Sequence, residues 1–182
     1  DLLFNINFKT MKYILSLLMI VGLATTSYSK SNKIGENIDV THYEIHLNEI
    51  NISDRTLDAN TIISLKTLSS LDELDLELKS LNVSSVTSDD VIINNFSQNG
   101  DILNITFENS VPANTDISLS IDYGGSTFNE NWGGIHWSND YVYNLGVGFD
   151  SQPHNLGKTW FPCVDNFTDK ASYDLYITLP ND

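Results

Sequence analysis

Among the side chains able to do chemistry, two histidines enclose a glutamate in His42-Tyr-Glu-Ile-His46, which at a glance looks like a zinc motif. A zinc motif His-Glu-x-x-His needs its glutamate directly after the first histidine, and a helix to bring both imidazoles to one face. Here the glutamate comes one place late and the surrounding residues alternate with period two. Tyr43, Ile45 and Leu47 fall on one face and His42, Glu44 and His46 on the other. In a strand the two histidine Cα atoms stand about 13 Å apart, at about 3.3 Å per residue, too wide for one tetrahedral ion. These three are read as solvent-face residues. Cys163 is the sole cysteine, so it has no disulfide partner and no thiolate metal site. A nucleophile there would need a partnered histidine. Its place between Pro162 and Val164 points instead to a buried structural thiol. His136 has no neighbouring acidic cluster and is read as a loop histidine.

The elements that must position these residues read as strands. Val40–Ile52 alternates, and Thr56–Lys66, Leu74–Leu78, Val83–Val86 and Val91–Phe96 continue the pattern. An Asn99-Gly100 pair then signals a hairpin returning through Ile102–Phe107. Ile117–Tyr123 alternates again. Gly124-Gly125 and Gly133-Gly134 bracket an irregular segment carrying Trp132 and Trp137. A Gly-broken apolar strand is expected over Tyr141–Phe149, then a polar loop over Asp150–Lys158 and an aromatic turn at Trp160-Phe161-Pro162-Cys163. The last strand runs Ala171–Leu179, with Tyr173, Leu175, Ile177 and Leu179 on one face. From Lys30 onward no window has a helical apolar period of useful length. Many short strands without helices predict an all-β fold, a sandwich or curved antiparallel sheet.

Composition narrows the function classes. The formal charge is −15, the pI about 4.3, and Arg55 is the single arginine, which argues against a nucleic-acid partner. Residues 1–10 read as sequence upstream of the start at Met11. From there Lys12, an apolar run Tyr13–Ala24, and Ser27 and Ser29 at the −3 and −1 positions make residues 11–29 a signal peptide. The run is too short and too poorly flanked for a membrane span. An exported protein, periplasmic or extracellular, is expected, with residues 30–182 as one β-domain.

The string Phe161-Pro-Cys-x-Asp165, followed by Lys170-Ala-x-Tyr173 and an alternating strand, resembles the end of the N-terminal β-domain of the aminopeptidase-N-like (gluzincin) zinc metallopeptidases. Gly134-Ile-His-Trp-Ser138 resembles that family's Gly-aromatic-Ser element, and His42-Tyr43 its opening strand. The resemblance spans about Asp39–Asp182. It implies a saddle-shaped β-domain packed on a thermolysin-like catalytic domain that would bring the zinc ligands and bind the peptide substrate. Phe161, Pro162, Cys163 and Asp165 would form the structural turn. None of the catalytic motifs lies in these 182 residues, so the chain is expected to be a fragment that hydrolyses nothing by itself.

One departure bears on specificity. The family's segment carries Gln-x-Glu and a basic residue before Phe-Pro-Cys. Counting back from Phe161, the basic residue falls on Lys158, the Glu on Pro153 and the Gln on Ser151. In the family that Glu helps hold the substrate's free α-amine. Here either Asp150 or Gln152 substitutes from the same loop, or amine recognition falls to the catalytic domain alone. The competing reading is a stand-alone exported β-sandwich that binds glycan or protein, with Trp132, Trp137 and Trp160 as an exposed aromatic platform.

Overall fold

The computed structural model describes residues 33–179; the expected upstream sequence and signal peptide lie outside these residues. Eleven strands follow in chain order: β1 Ile38–Asn51, β2 Thr56–Thr67, β3 Leu71–Glu77, β4 Asn82–Thr87, β5 Ile93–Asn99, β6 Ile102–Val111, β7 Asp116–Ser126, β8 Asn129–Glu130, β9 Gly133–Ser138, β10 Tyr141–Asn144 and β11 Ser172–Ile177. A 3-10 turn at Gly157–Thr159 is the only helical element among the described residues, and no helix there is long and apolar enough to cross a membrane. The described residues are all-β, as their periodicity predicts.

The strands form a five-stranded sheet ordered β11-β1-β2-β7-β4 and two three-stranded sheets, β10-β9-β8 and β3-β6-β5. Every pairing is antiparallel except β1 with β11, which run parallel. Alternation explains the layering. The inward residues Val40, Tyr43 and Ile45 of β1, Ile63 and Leu65 of β2, and Leu119 and Ile121 of β7 share one core with Leu74 and Leu76 of β3 and Leu103 and Ile105 of β6. Burying an aliphatic side chain of this kind is worth about 1.5–3 kcal/mol.

Local chemistry sets the boundaries. The hairpin between β5 and β6 turns on Gly100-Asp101, since Asn99 already pairs with Ile102. Gly100 alone takes a positive φ there, 60°, the first-position glycine of a II′-type turn. The strand expected over Tyr141–Phe149 ends at Asn144, because Gly146 adopts φ 69° and the chain leaves the sheet. The expected Ala171–Leu179 strand is shorter too, and Leu179 lies beyond its end.

Its inward face is Tyr173, Leu175 and Ile177, in register with Tyr43, Ile45 and Leu47. All three stay about half exposed, because β11 is the sheet's outer strand and the second layer stops short of it. A groove of about 290 Å³ remains there, walled by Leu47, Leu175 and Ile177 on one side and by Trp137, Val142 and Trp160 on the other.

Candidate functional site

The aromatic turn is fastened to the large sheet by two buried tyrosines from distant strands. Tyr43 of β1 accepts a hydrogen bond from the Val164 amide at 3.1 Å, and Tyr123 of β7 donates its hydroxyl to the Trp160 carbonyl at 3.0 Å. Burial raises both phenols far above the ordinary tyrosine value, so they serve only as neutral hydrogen-bonding groups. Phe161 packs edge-on against Tyr43, with centroids 5.2 Å apart. Pro162 is buried, and Cys163 pairs its backbone with Glu77 in both directions, at 2.8 and 3.0 Å. Burial, then the charges of Asp165 and Glu77, push the Cys163 thiol well above its ordinary range.

Beneath the turn lies a charged cluster. Lys158 is buried and donates Nζ to Glu77 Oε1 at 2.7 Å. Glu77 Oε2 accepts from the Asp165 amide at 3.2 Å, and Asp165 Oδ2 accepts from the Lys158 amide at 3.3 Å. Asn155 donates to the Asp165 carbonyl. The family position read onto Lys158 is therefore occupied by a cation turned into the domain, neutralised by its own neighbours. Glu77 was not legible as its partner. In sequence it is one more acid in the alternating Leu74–Leu78 strand, and only its position at the strand's end distinguishes it.

The loop bearing Asp150 and Gln152 stands on a closed neck. Val147 bridges to Asn155, the Gly148 amide donates to the His154 carbonyl at 2.7 Å, and the Leu156 amide donates to the Gly146 carbonyl at 2.9 Å. Beyond the neck, Phe149–Pro153 forms the tip, with a cis peptide between Gln152 and Pro153. Asp150 is exposed, and one of its carboxylate oxygens accepts from Asn131 Nδ2 at 3.2 Å. Gln152 is exposed too, its Nε2 3.1 Å from His154 Nε2.

Glu130 of β8, which no motif in the sequence marks, holds this tip. Its carboxylate accepts from the Asp150 amide at 2.9 Å and from the Ser151 hydroxyl. The Ser151 hydroxyl chiefly, with the Asp150 and Ser151 amides, keeps Glu130 below the usual carboxylate range. No spacing rule connects it with Asp150. The only hint was an acid beside the glycine-bracketed segment.

The remaining histidines are engaged within sheets. His42 Nδ1 is 2.8 Å from Ser172 Oγ, and His46 Nε2 is 2.6 Å from Glu44 and stacks on Tyr176 at 4.6 Å. Both lie on the outer face, half-buried by β11. His136 belongs to β9 and not to a loop. Its Nε2 lies 2.9 Å from the Gly133 carbonyl, and its ring stacks on Tyr143 at 5.2 Å. Among the described residues no group of three or more His, Cys, Asp or Glu could hold a metal ion. The three tryptophans do not make a platform. Trp132 is exposed, whereas Trp137 and Trp160 are partly buried against the core, Trp137 bonding Thr127 Oγ1 at 2.8 Å.

A family model described as the Peptidase M1 N-terminal domain matches residues 39–182. Among solved structures, a mutant two-domain M1 zinc metallopeptidase bound to L-tryptophan superposes with a TM-score of 0.66 at 19% identity, covering 78% of this chain and 33% of that one. A mutant M1 zinc metallopeptidase from Deinococcus radiodurans, bound to a Tyr-Ser-Ala substrate, gives a TM-score of 0.63 at 20% identity, covering 78% of this chain and 32% of that one. At such identities these likenesses establish the fold. The chain spans about a third of the length of those structures. A search of curated proteins returned no match.

Proposed function

The chain belongs to the Peptidase M1 N-terminal domain family, and from that premise we propose that it is the N-terminal β-domain of an exported zinc metallopeptidase, shaping the substrate cleft of a catalytic domain in the same polypeptide. The observation that supports this reading is the Asp150 loop. A closed neck and Glu130 hold an exposed carboxylate out from the turn that the family resemblance singles out. An exposed tip held this way suits a lip over a neighbouring active site, since binding groups commonly sit on loops fixed by a rigid scaffold.

The zinc of this proposal belongs to residues outside those described here, because the described donor sets do not fit a metal ion. What this chain supplies is positional. A carboxylate near the substrate ammonium fixes where the scissile bond lies. The exposed inward face of β11, Leu175 and Ile177, supports a continuation of the polypeptide that covers it.

The test is the parent reading frame and its product. His-Glu-x-x-His within about two hundred residues after Asp182, and chelator-sensitive hydrolysis of free-amine peptides by the full-length protein, are expected. A parent chain without that motif, or one inert toward peptides, overturns the proposal.

A further inference from the structure

Asn99-Gly100 is the sole Asn-Gly pair in the chain. In a type I′ hairpin the asparagine of such a pair takes a central turn position with positive φ. Here the turn is centred one residue later, on Gly100-Asp101, and Asn99 closes the ladder opposite Ile102. The turn therefore does not need this asparagine. Both residues are exposed, and among the described residues no hydrogen bond holds the Asn99 side chain or the Gly100 amide. By contrast, Asn104 of the partner strand donates to Glu73 and Asp75 at 3.2 and 2.8 Å, and Asn60 of β2 donates to Ser120 and Asp122 at 2.9 and 2.7 Å.

An asparagine side chain and the next backbone nitrogen can close a five-membered ring, and the side chain of the following residue is what obstructs it. Gly100 has none, and no heavy atom lies within 4 Å of the place where a Cβ would stand. The Gly100 nitrogen, giving up its proton, attacks Asn99 Cγ; the bond from Cγ to Nδ2 breaks and ammonia leaves with that proton. One water then opens the cyclic imide. Opening at Cγ gives aspartate. Opening at the former backbone carbonyl gives isoaspartate, whose main chain runs through Cβ and is one atom longer.

That extra atom falls inside an anchored hairpin. The Asp101 carbonyl accepts from the Leu78 amide at 2.8 Å, and its carboxylate accepts from Lys79 Nζ at 3.2 Å. The Lys79 amide in turn donates to the Lys158 carbonyl at 2.7 Å. The hairpin tip thus braces the end of β3 beside the Glu77–Lys158 contact. We propose that Asn99 is a modification site at which the folded protein converts spontaneously to aspartate and isoaspartate, and that the isoaspartate form loosens the Asp101 anchor on β3. This chemistry is independent of the peptidase reading.

Ageing the native full-length protein at neutral and mildly alkaline pH, followed by peptide mapping with mass spectrometry, tests the site. Asn99 converts about tenfold or more faster than any other asparagine, and faster as pH rises, because no side chain shields the attacking nitrogen. Its native rate stays within about threefold of the denatured rate, since no structure has to open first. Conversion of another asparagine ahead of Asn99, or an Asn99 that reacts only in denatured protein, overturns the site. Asn99→Gln keeps the amide, cannot form the five-membered ring, and ages without change in unfolding temperature. Asn99→Asp carries the new charge without the longer backbone and unfolds where the fresh wild type does. The aged acidic fraction of the wild type, purified by ion exchange, contains isoaspartate as its main product and unfolds at a lower temperature than Asn99→Asp. Equal unfolding temperatures, or an aged fraction holding aspartate alone, overturn the loosening of the anchor.

Discussion

Lys158 Nζ lies 2.7 Å from Glu77 Oε1, across 81 positions of sequence. The two side chains are 10% and 16% exposed, and both oxygens of Glu77 are occupied, the second by the Asp165 amide. This contact joins the end of β3 to the segment between the Asp150 loop and the aromatic turn. It therefore holds the candidate site on the core.

Glu77→Gln keeps the shape of the side chain and removes its charge. It is expected to cost about 2–3 kcal/mol, the scale of a hydrogen bond to a charged group in a buried setting. Thermal unfolding of the full-length protein measures this. An unchanged midpoint would show that Asp165 suffices as the counter-ion.

The same pair sets a pH dependence. Burial opposes the charge on Lys158, but the hydrogen bond and charge of Glu77, with Asp165 and Asp101, outweigh it and raise its pKa above the ordinary 10.5. For a cation raised in the folded state, the stabilisation is complete below the unfolded value and is lost as pH rises through the folded one. Stability is expected to fall above about pH 10.5 in the wild type, and less steeply in Lys158→Met. Chemical denaturation at a series of alkaline pH values reads both slopes, and parallel curves would refute the assignment.

Cys163 is buried, and its thiol is pushed upward by that burial. Thiolate is the reactive form, so alkylation of the native protein should be slower than that of the denatured protein by about two orders of magnitude or more. Iodoacetamide labelling followed by mass spectrometry decides it. Rapid labelling of native protein would contradict a structural thiol.

Asp150→Asn tests the anchor role of the exposed carboxylate. Its loss should lower kcat/KM on a free-amine peptide roughly tenfold to a hundredfold, the equivalent of about 1.5–3 kcal/mol. The N-acetylated twin should change little. Equal rates for wild type and variant on both peptides would take this loop out of the substrate site.

Export is proposed from residues 11–29 and predicts cleavage between Ser29 and Lys30. Amino-terminal sequencing of the exported protein should begin at Lys30, whereas a mature chain beginning near Met11 would refute it.

Most strands and the aromatic turn were legible in the sequence, whereas β8 and β9 fall in the stretch read as irregular. Alternation of Tyr43, Ile45 and Leu47 fixed which face of β1 meets the core, and Gly100 marked the β5–β6 hairpin, because these signals act between near neighbours. The string from Phe161 to Tyr173 carried the family. The side-chain partners follow from the packing of distant strands. Glu77 meets Lys158, and Glu130 meets the Asp150 loop, through strand order and register, which no local period encodes. The fates of Trp137 and Trp160 were settled the same way, since burial depends on which layer reaches a ring. The chain's own preference ends at Gly146, where a positive φ turns Tyr141–Asn144 away from the longer strand its apolar residues suggest.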